Sequence, residues 1–196
     1  MRSVQKAFQK LGFDAELTND KNTIRSASGI VLPGVGSFDD AAAELSNSNL
    51  VGSIVEAIAL NKPFLGICLG YQLLFESSEE GKLQGFGLLR GKVKKFNFSG
   101  TAFSNYSVPH MGWNRLLIKH HSPILDDIKD GSMVYFAHSY FPDPEDGAIV
   151  SAETDYGVLF ASSINKNNVF GVQFHPEKSG DIGLKILRNF AKLCLK

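Results

Sequence analysis

Apolar positions in the first half of the chain alternate between short continuous runs and helical spacing. Val4, Ala7, Phe8 and Leu11 recur at three- and four-residue intervals, with Ser3 as a capping residue and Gly12 as a stop. A short strand is expected around Ala15–Thr18. Gly29–Pro33 is an uninterrupted apolar run, which predicts a buried strand ending in the loop Gly34-Val35-Gly36-Ser37. Asp39–Leu45 and Val51–Asn61 carry helical patterns. Pro63–Ile67 predicts a second buried strand, with a helix over Leu69–Glu76 immediately behind it.

From residue 88 onward the pattern changes. Leu88–Phe98, Val108–Ile118, Met133–Phe141 and Ala148–Thr154 are strand-like and rich in turns. Val158–Ile164 and Val169–Phe174 form a predicted hairpin about Asn165–Asn168, and Gly183–Leu195 closes the chain as an amphipathic helix. Strand and helix alternate in the first half, so the expected fold class is α/β: a mostly parallel, doubly wound sheet with helices on both faces, joined by antiparallel strands from the second half. Sites in such sheets lie at the carboxyl ends of strands. That rule singles out the loops after Pro33, at Cys68 and after Phe174.

Size and charge narrow the classes of function. The 196 residues suit one domain, 1–196, that buries roughly 70% of its unfolded surface without covalent staples. Twenty basic residues balance twenty acidic ones, which gives no reason to expect nucleic acid or an anionic membrane as a partner. No apolar run has the length of a membrane span, and a cytoplasmic location is expected. Only two cysteines occur, Cys68 and Cys194, and a disulfide between them is not expected. The fifteen phenylalanines are read as core packing.

Gly66-Ile67-Cys68-Leu69-Gly70 lies where a buried strand meets a helix. A nucleophile on such a turn projects outward, towards the positive end of the helix, and small neighbours permit the tight backbone. A buried structural cysteine is the plain alternative, but a core strand rarely needs glycine at both i−2 and i+2. Cys194 lacks that setting and is assigned to helix packing. A cysteine nucleophile needs a base. Of the histidines at 110, 120, 121, 138 and 175, only His175 combines a strand end with an acidic residue two positions later, Glu177. The order Cys, His, carboxylate fits a triad, although a lone histidine after a strand is more often structural. Gly34-Val35-Gly36 could aim a backbone N–H at a developing oxyanion, with Leu69 N–H as the second donor. A plain turn is its alternative, and no Gly-Lys-Ser/Thr follows to make it a phosphate loop. No cofactor or metal is implied.

Together, LPGVGSF, GICLGYQLLFES and GVQFHPEKS resemble, in sequence and in order, the class I (triad) glutamine amidotransferases. VPHMGWN, VYFAHSY and the lysine of HPEKS are similar to the branch that feeds ammonia to a cyclase in histidine synthesis, rather than to the branches serving anthranilate, GMP or CTP synthesis. The resemblance implies that Cys68 attacks the glutamine carboxamide, that His175 moves protons and that Glu177 positions His175. It implies oxyanion donors at Gly34, Val35, Gly36 and Leu69. Gln72, Ser139 and Tyr140 match positions that hold the amino-acid end of glutamine; their plain readings are an exposed helix residue and strand packing. His110, Met111, Trp113, Asn114 and Lys178 match positions at or near the contact with a (β/α)₈-barrel cyclase, the expected heterodimer partner.

One departure from the family pattern bears on stability. Family members usually begin with a strand and a glycine-rich turn before the helix that here starts at Ser3. Without them, the expectation is an unpaired strand edge and exposed apolar surface, or a sheet that closes differently. Three other functions compete: a paralogue with the same chemistry and another acceptor such as a surface sugar, a free-standing hydrolase of glutamyl compounds, and a catalytically dead scaffold.

Overall fold

The computed structural model describes residues 1–195. Helix α1 (Arg2–Lys10) opens the chain with Val4, Ala7 and Phe8 buried, and Phe13 N–H closes its end on Phe8 O. Met1 occupies the cap, so Ser3 lies inside the first turn and is not the cap. Residues 13–20 form neither helix nor strand, so the expected strand at Ala15–Thr18 is absent. α2 (Lys21–Ser26) follows, capped by the Asp20 carboxylate, which accepts from Thr23 N–H at 2.7 Å.

β1 (Ile30–Gly34), α3 (Phe38–Asn47), α4 (Leu50–Ala59), β2 (Phe64–Cys68) and α5 (Leu69–Gln72) complete the alternating half. Ser37 caps α3 through Asp40 N–H, and the Glu80 carboxylate accepts from Phe38 N–H at 2.9 Å, which pins the loop after β1. α5 is a single turn, shorter than the helix expected to Glu76: turns and the two-residue β3 (Ser77–Ser78) take over. A helix this short has little macrodipole, so the electrostatic help expected from it at Cys68 is small.

The second half supplies β4 (Gly91–Lys95), β5 (His110–Arg115), β6 (Leu117–Ile118), β7 (Met133–His138), β8 (Tyr140–Pro144), β9 (Val150–Asp155), β10 (Leu159–Lys166), β11 (Val169–Val172) and α6 (Gly180–Leu193). The main sheet runs β1-β2-β11-β10-β9-β6. Its first three strands are parallel and the rest antiparallel. The β10–β11 hairpin turns at Asn167-Asn168, with Asn167 at φ 54°. Two smaller sheets, β3-β4-β8 and β5-β7, stand beside it.

Alternation along β2 shows how the core divides. Leu65 and Ile67 join a cluster with Phe8, Phe170, Val172, Ile186 and Phe190, under α1 and α6. Phe64 joins Phe38, Ile54, Leu69 and Tyr71 on the opposite face, under α3 to α5. Burying each such side chain contributes about 1.5–3 kcal/mol, so helices cover both faces of the central strands. These layers are an α/β fold with a mixed sheet, as expected.

β1 pairs with β2 on one side only among the described residues. Ladder hydrogen bonds contribute about 1 kcal/mol each, and an open edge invites association. A version extended at its N-terminus by an apolar strand able to pair with β1 is expected to melt about 5 °C or more higher and to stay monomeric at higher concentration. Thermal melts and light scattering on the two versions test this; equal melting points would show that the edge is satisfied in another way.

Candidate active site

Cys68 is the last residue of β2 and has φ 55°, ψ −110°. A residue with a side chain rarely adopts this conformation, at a cost of about 1–3 kcal/mol. Its neighbours explain how the turn is tolerated. A Cβ on Gly70 would lie 1.8 Å from Leu32 O, and one on Gly66 would lie 2.6 Å from Gly70 O and 2.8 Å from Tyr71 N. Both glycines are therefore required by close backbone approach. The loop after β1 presses on the same place, since a Cβ on Gly34 would meet Leu69 Cβ at 2.8 Å and Gly70 N at 3.0 Å. Gly34 thus packs against the elbow at Leu69 and Gly70, whereas the Val35 side chain is turned out at 75% exposure and a Cβ on Gly36 would meet nothing within 4 Å.

Strand β11 runs parallel to β2 and brings His175 beside Cys68. His175 N–H is held by Tyr135 O at 2.8 Å, and Ser179 Oγ donates to His175 O at 2.6 Å. Its Nδ1 faces Glu177 Oε1 at 3.0 Å, both side chains being about 5% exposed. Burial alone would lower the His175 pKa. Its hydrogen bonds to Cys68 and Glu177, and the charges of those groups, outweigh burial and raise it to about 9. At neutral pH the arrangement is an imidazolium between a sulfur and a carboxylate. Glu177 Oε2 is buried without a hydrogen-bond partner among the described residues.

The remaining expected residues divide into two places. Gln72 is buried, not exposed, and its Nε2 donates to Tyr140 O at 2.9 Å and to Gln173 Oε1 at 3.1 Å. Ser139 and Tyr140 are half-buried at the start of β8, close to Gln72. Met111 and Trp113 project from β5 at 63% and 53% exposure, and Lys178 sits over the Tyr135 ring at 5.8 Å. Trp113, Asn114, Asp155 and Tyr156 line a surface groove of ≈ 450 Å³ that contains none of the triad.

His110 lies on the same strand as Met111 and Trp113 and lines the same groove. It is 3% exposed and lies behind the β5 surface, stacked on Tyr156. Its bonding fixes its tautomer. Tyr140 O can only accept, so His138 Nδ1–H donates to it at 2.8 Å. His138 Nε2 then accepts, and His110 Nδ1–H donates to it at 3.0 Å. Asn114 Nδ2 approaches His110 Nε2 at 3.4 Å and donates to Asp155 O at 2.9 Å. Burial lowers the His110 pKa to about 4. Burial, with the charges of His110 and His175, lowers that of His138 to about 3, against a raising bond from Tyr140 O.

Two residues at this site lay outside the expected set. Gln173 is fully buried and its Nε2 lies 3.5 Å from Cys68 Sγ. Its place two positions before His175, on a strand already marked as catalytic, was the available signal. His138 had no local signal, because its partners come from other strands. Among the described residues there is no cluster of three or more side chains able to hold a metal ion, and no helix is long and apolar enough to cross a membrane. Cys194 is free, with its thiol pushed up by burial to about 11 and packed against the end of α6.

The histidine shifts have opposite signs, and this sets a stability optimum. Below the unfolded value of 6.5, the unfolded chain binds protons that folded His110 and His138 refuse, so stability falls on acidification. Between 6.5 and about 9, folded His175 keeps a proton that the unfolded chain has lost, so stability falls as pH rises. Each group contributes a slope of up to about 1.4 kcal/mol per pH unit. Urea midpoints measured from pH 5 to 9 are expected to peak near 6.5 and fall on both sides; a monotonic curve would contradict these assignments.

Comparison with known proteins agrees with this arrangement. The family model described as "Glutamine amidotransferase class-I" matches residues 2–194. "Imidazole glycerol phosphate synthase subunit HisH" of Geobacillus sp. (strain WCH70) is 45% identical over 97% of this chain and 90% of that protein. The protein of the same name from Aquifex aeolicus is 47% identical over 98% of this chain and 91% of that protein. Among solved structures, PurLQS from Thermotoga maritima has a TM-score of 0.76 at 22% identity, covering 100% of this chain and 92% of that one, a likeness of fold. With a family model spanning nearly every residue, and relatives of this identity over nearly their full length, the chain belongs to the class-I glutamine amidotransferases, in the branch of the imidazole glycerol phosphate synthase subunit HisH.

Proposed function

We propose that this chain is a glutaminase subunit of imidazole glycerol phosphate synthase, which hydrolyses glutamine and passes the ammonia to a (β/α)₈-barrel cyclase of histidine biosynthesis. The observation that carries the reading is the Cys68–His175–Glu177 cluster at the sheet's carboxyl end, with a raised imidazole pKa and a strained nucleophile turn. The likeness to HisH subunits over nearly the whole chain supports this acceptor over the alternatives.

In this mechanism the Cys68 thiolate attacks the carboxamide carbon. A C–S bond forms, and the carbonyl electron pair moves to oxygen, where the Leu69 N–H and the N–H groups of the Gly34–Gly36 loop receive it. On collapse the C–N bond breaks, and His175 gives its proton to the departing nitrogen. Neutral His175 then takes a proton from water, and the hydroxide adds to the thioester carbon. The C–S bond breaks with its electrons returning to sulfur, and glutamate is released. Glu177 holds Nδ1 and stabilises the imidazolium at both stages. Both N–H groups of Gln72 are used within the protein, so its Oε1 is left to accept from the substrate ammonium. Ser139 and Tyr140 complete that end of the site. Met111, Trp113, Asn114 and Lys178 form the face that meets the cyclase, with His110 as its support.

Cys68→Ala is expected to abolish glutamine hydrolysis, while Cys194→Ala leaves it nearly unchanged. His175→Asn should lower turnover by about 10²–10⁴-fold, and Glu177→Gln by less. Mass spectrometry after reaction with an alkylating glutamine analogue should place the label on Cys68; a label mainly on Cys194 sinks the assignment.

The function itself is tested by steady-state kinetics on the chain alone, with a cyclase partner, and with partner plus acceptor. Very low activity alone and a strong rise in kcat with the liganded partner are expected, with Lys178→Ala weakening the rise more than it weakens glutamine binding. A chain that turns over equally fast alone would instead be a free-standing hydrolase.

A further inference from the structure

The orientation of a side-chain amide follows from what its neighbours can give or take. Tyr140 O has no hydrogen, so Gln72 must turn its nitrogen toward it, at 2.9 Å. The same nitrogen lies 3.1 Å from the next amide, and two nitrogens would bring donor against donor. Gln173 therefore presents Oε1 to Gln72. Its own nitrogen is left on the other side, 3.5 Å from Cys68 Sγ. One backbone carbonyl thus sets the direction of both amides, and the terminal donor faces the nucleophile.

Gln173 has no freedom to adopt another arrangement at little cost. It is 0% exposed, its backbone N–H is bound to Ser162 O at 2.9 Å, and it follows Val172, which is paired with β2 at Ile67. Cys68 itself sits on a backbone conformation that residues with side chains rarely adopt, and Gln173 Nε2 is the donor aimed at its sulfur.

We propose that Gln173 is a positioning residue for the nucleophile: its Nε2–H donates to Cys68 Sγ and holds the sulfur for attack, and Gln72 and Tyr140 O fix the direction of that donor. The role deepens the glutaminase reading and rests on it for its chemical meaning. In that reaction the sulfur carries negative charge before attack and again when the C–S bond of the thioester breaks, and it carries little in between. A fixed donor at the sulfur therefore favours the transition state for C–S cleavage over the thioester, while before attack it acts by holding the thiolate in place.

The test uses Gln173→Glu, which keeps size and shape and keeps an acceptor for Gln72. Its ionised carboxylate has no hydrogen to give; its protonated form has one. At pH 7.5, with the cyclase partner present, kcat should fall about 10²-fold with KM within about threefold of wild type. The loss should shrink as pH falls and the new carboxyl takes a proton, a titration limb that wild type lacks. Iodoacetamide labelling of Cys68 at pH 7.5 should slow about tenfold, independently of glutamine. Gln72→Glu, which removes the donor to Gln173, should act in the same direction and serves if Gln173→Glu does not fold. Unchanged kcat, or an equal loss at every pH with unchanged labelling, overturns the proposal. Slower labelling in a protein whose wild type never hydrolyses glutamine leaves Gln173's role standing and removes the glutaminase reading instead.

Discussion

The structure depends on one steric constraint: the end of β2 meets the start of α5 with no room for a side chain at Gly66 or Gly70. Leu32 O occupies the space where a Cβ on Gly70 would go, and Gly70 O and Tyr71 N occupy it for Gly66. This contact brings β1, β2 and α5 together. It also forces Cys68 into a conformation that only the surrounding packing can sustain. The strain is offset by the buried clusters on both faces of the sheet, in which Phe64, Leu65 and Ile67 are all at most 1% exposed.

Around that elbow, buried polar groups sort by charge. His175 is held protonated by a sulfur on one side and a carboxylate on the other. His138 and His110 lie in a neighbouring aromatic cluster with Phe96, Phe136 and Phe160, and are held neutral. The two conditions reinforce each other, because the charge on His175 is one of the causes that depress His138. Neutrality in turn gives His138 the single Nδ1–H that Tyr140 O requires. Charge sits beside the Cys68 sulfur, and hydrogen-bond direction is fixed where no charge is present.

How much of this was legible in sequence depended on distance along the chain. The elbow could be read, because its glycines flank Cys68 at i−2 and i+2. The carboxylate two residues after His175 and the buried runs of β1 and β2 were also local. α2 was missed although Asp20 carries its cap, since six residues make too short a period to stand out. The strand at Ala15–Thr18 was expected from local pattern and fails because a strand needs a partner. The burial of His110, the packing of Gln72 and the place of Gln173 depend on pairs between 28 and 105 residues apart, which no window along the chain can see. The surface roles of Met111, Trp113 and Lys178 came from resemblance, and exposure alone does not name what covers them.

The contact between Gly70 and Leu32 also has a mechanical side. Leu32 belongs to β1, an edge strand of the main sheet among the described residues, and its carbonyl is the stop against which the turn at Cys68 rests. The elbow is therefore only as stiff as the least supported strand behind it. A shift of β1 would take the stop from behind Gly70, and with it the support of the turn that carries Cys68. In this molecule, resistance to deformation at one rim of the sheet and the placement of the Cys68 sulfur are tied together.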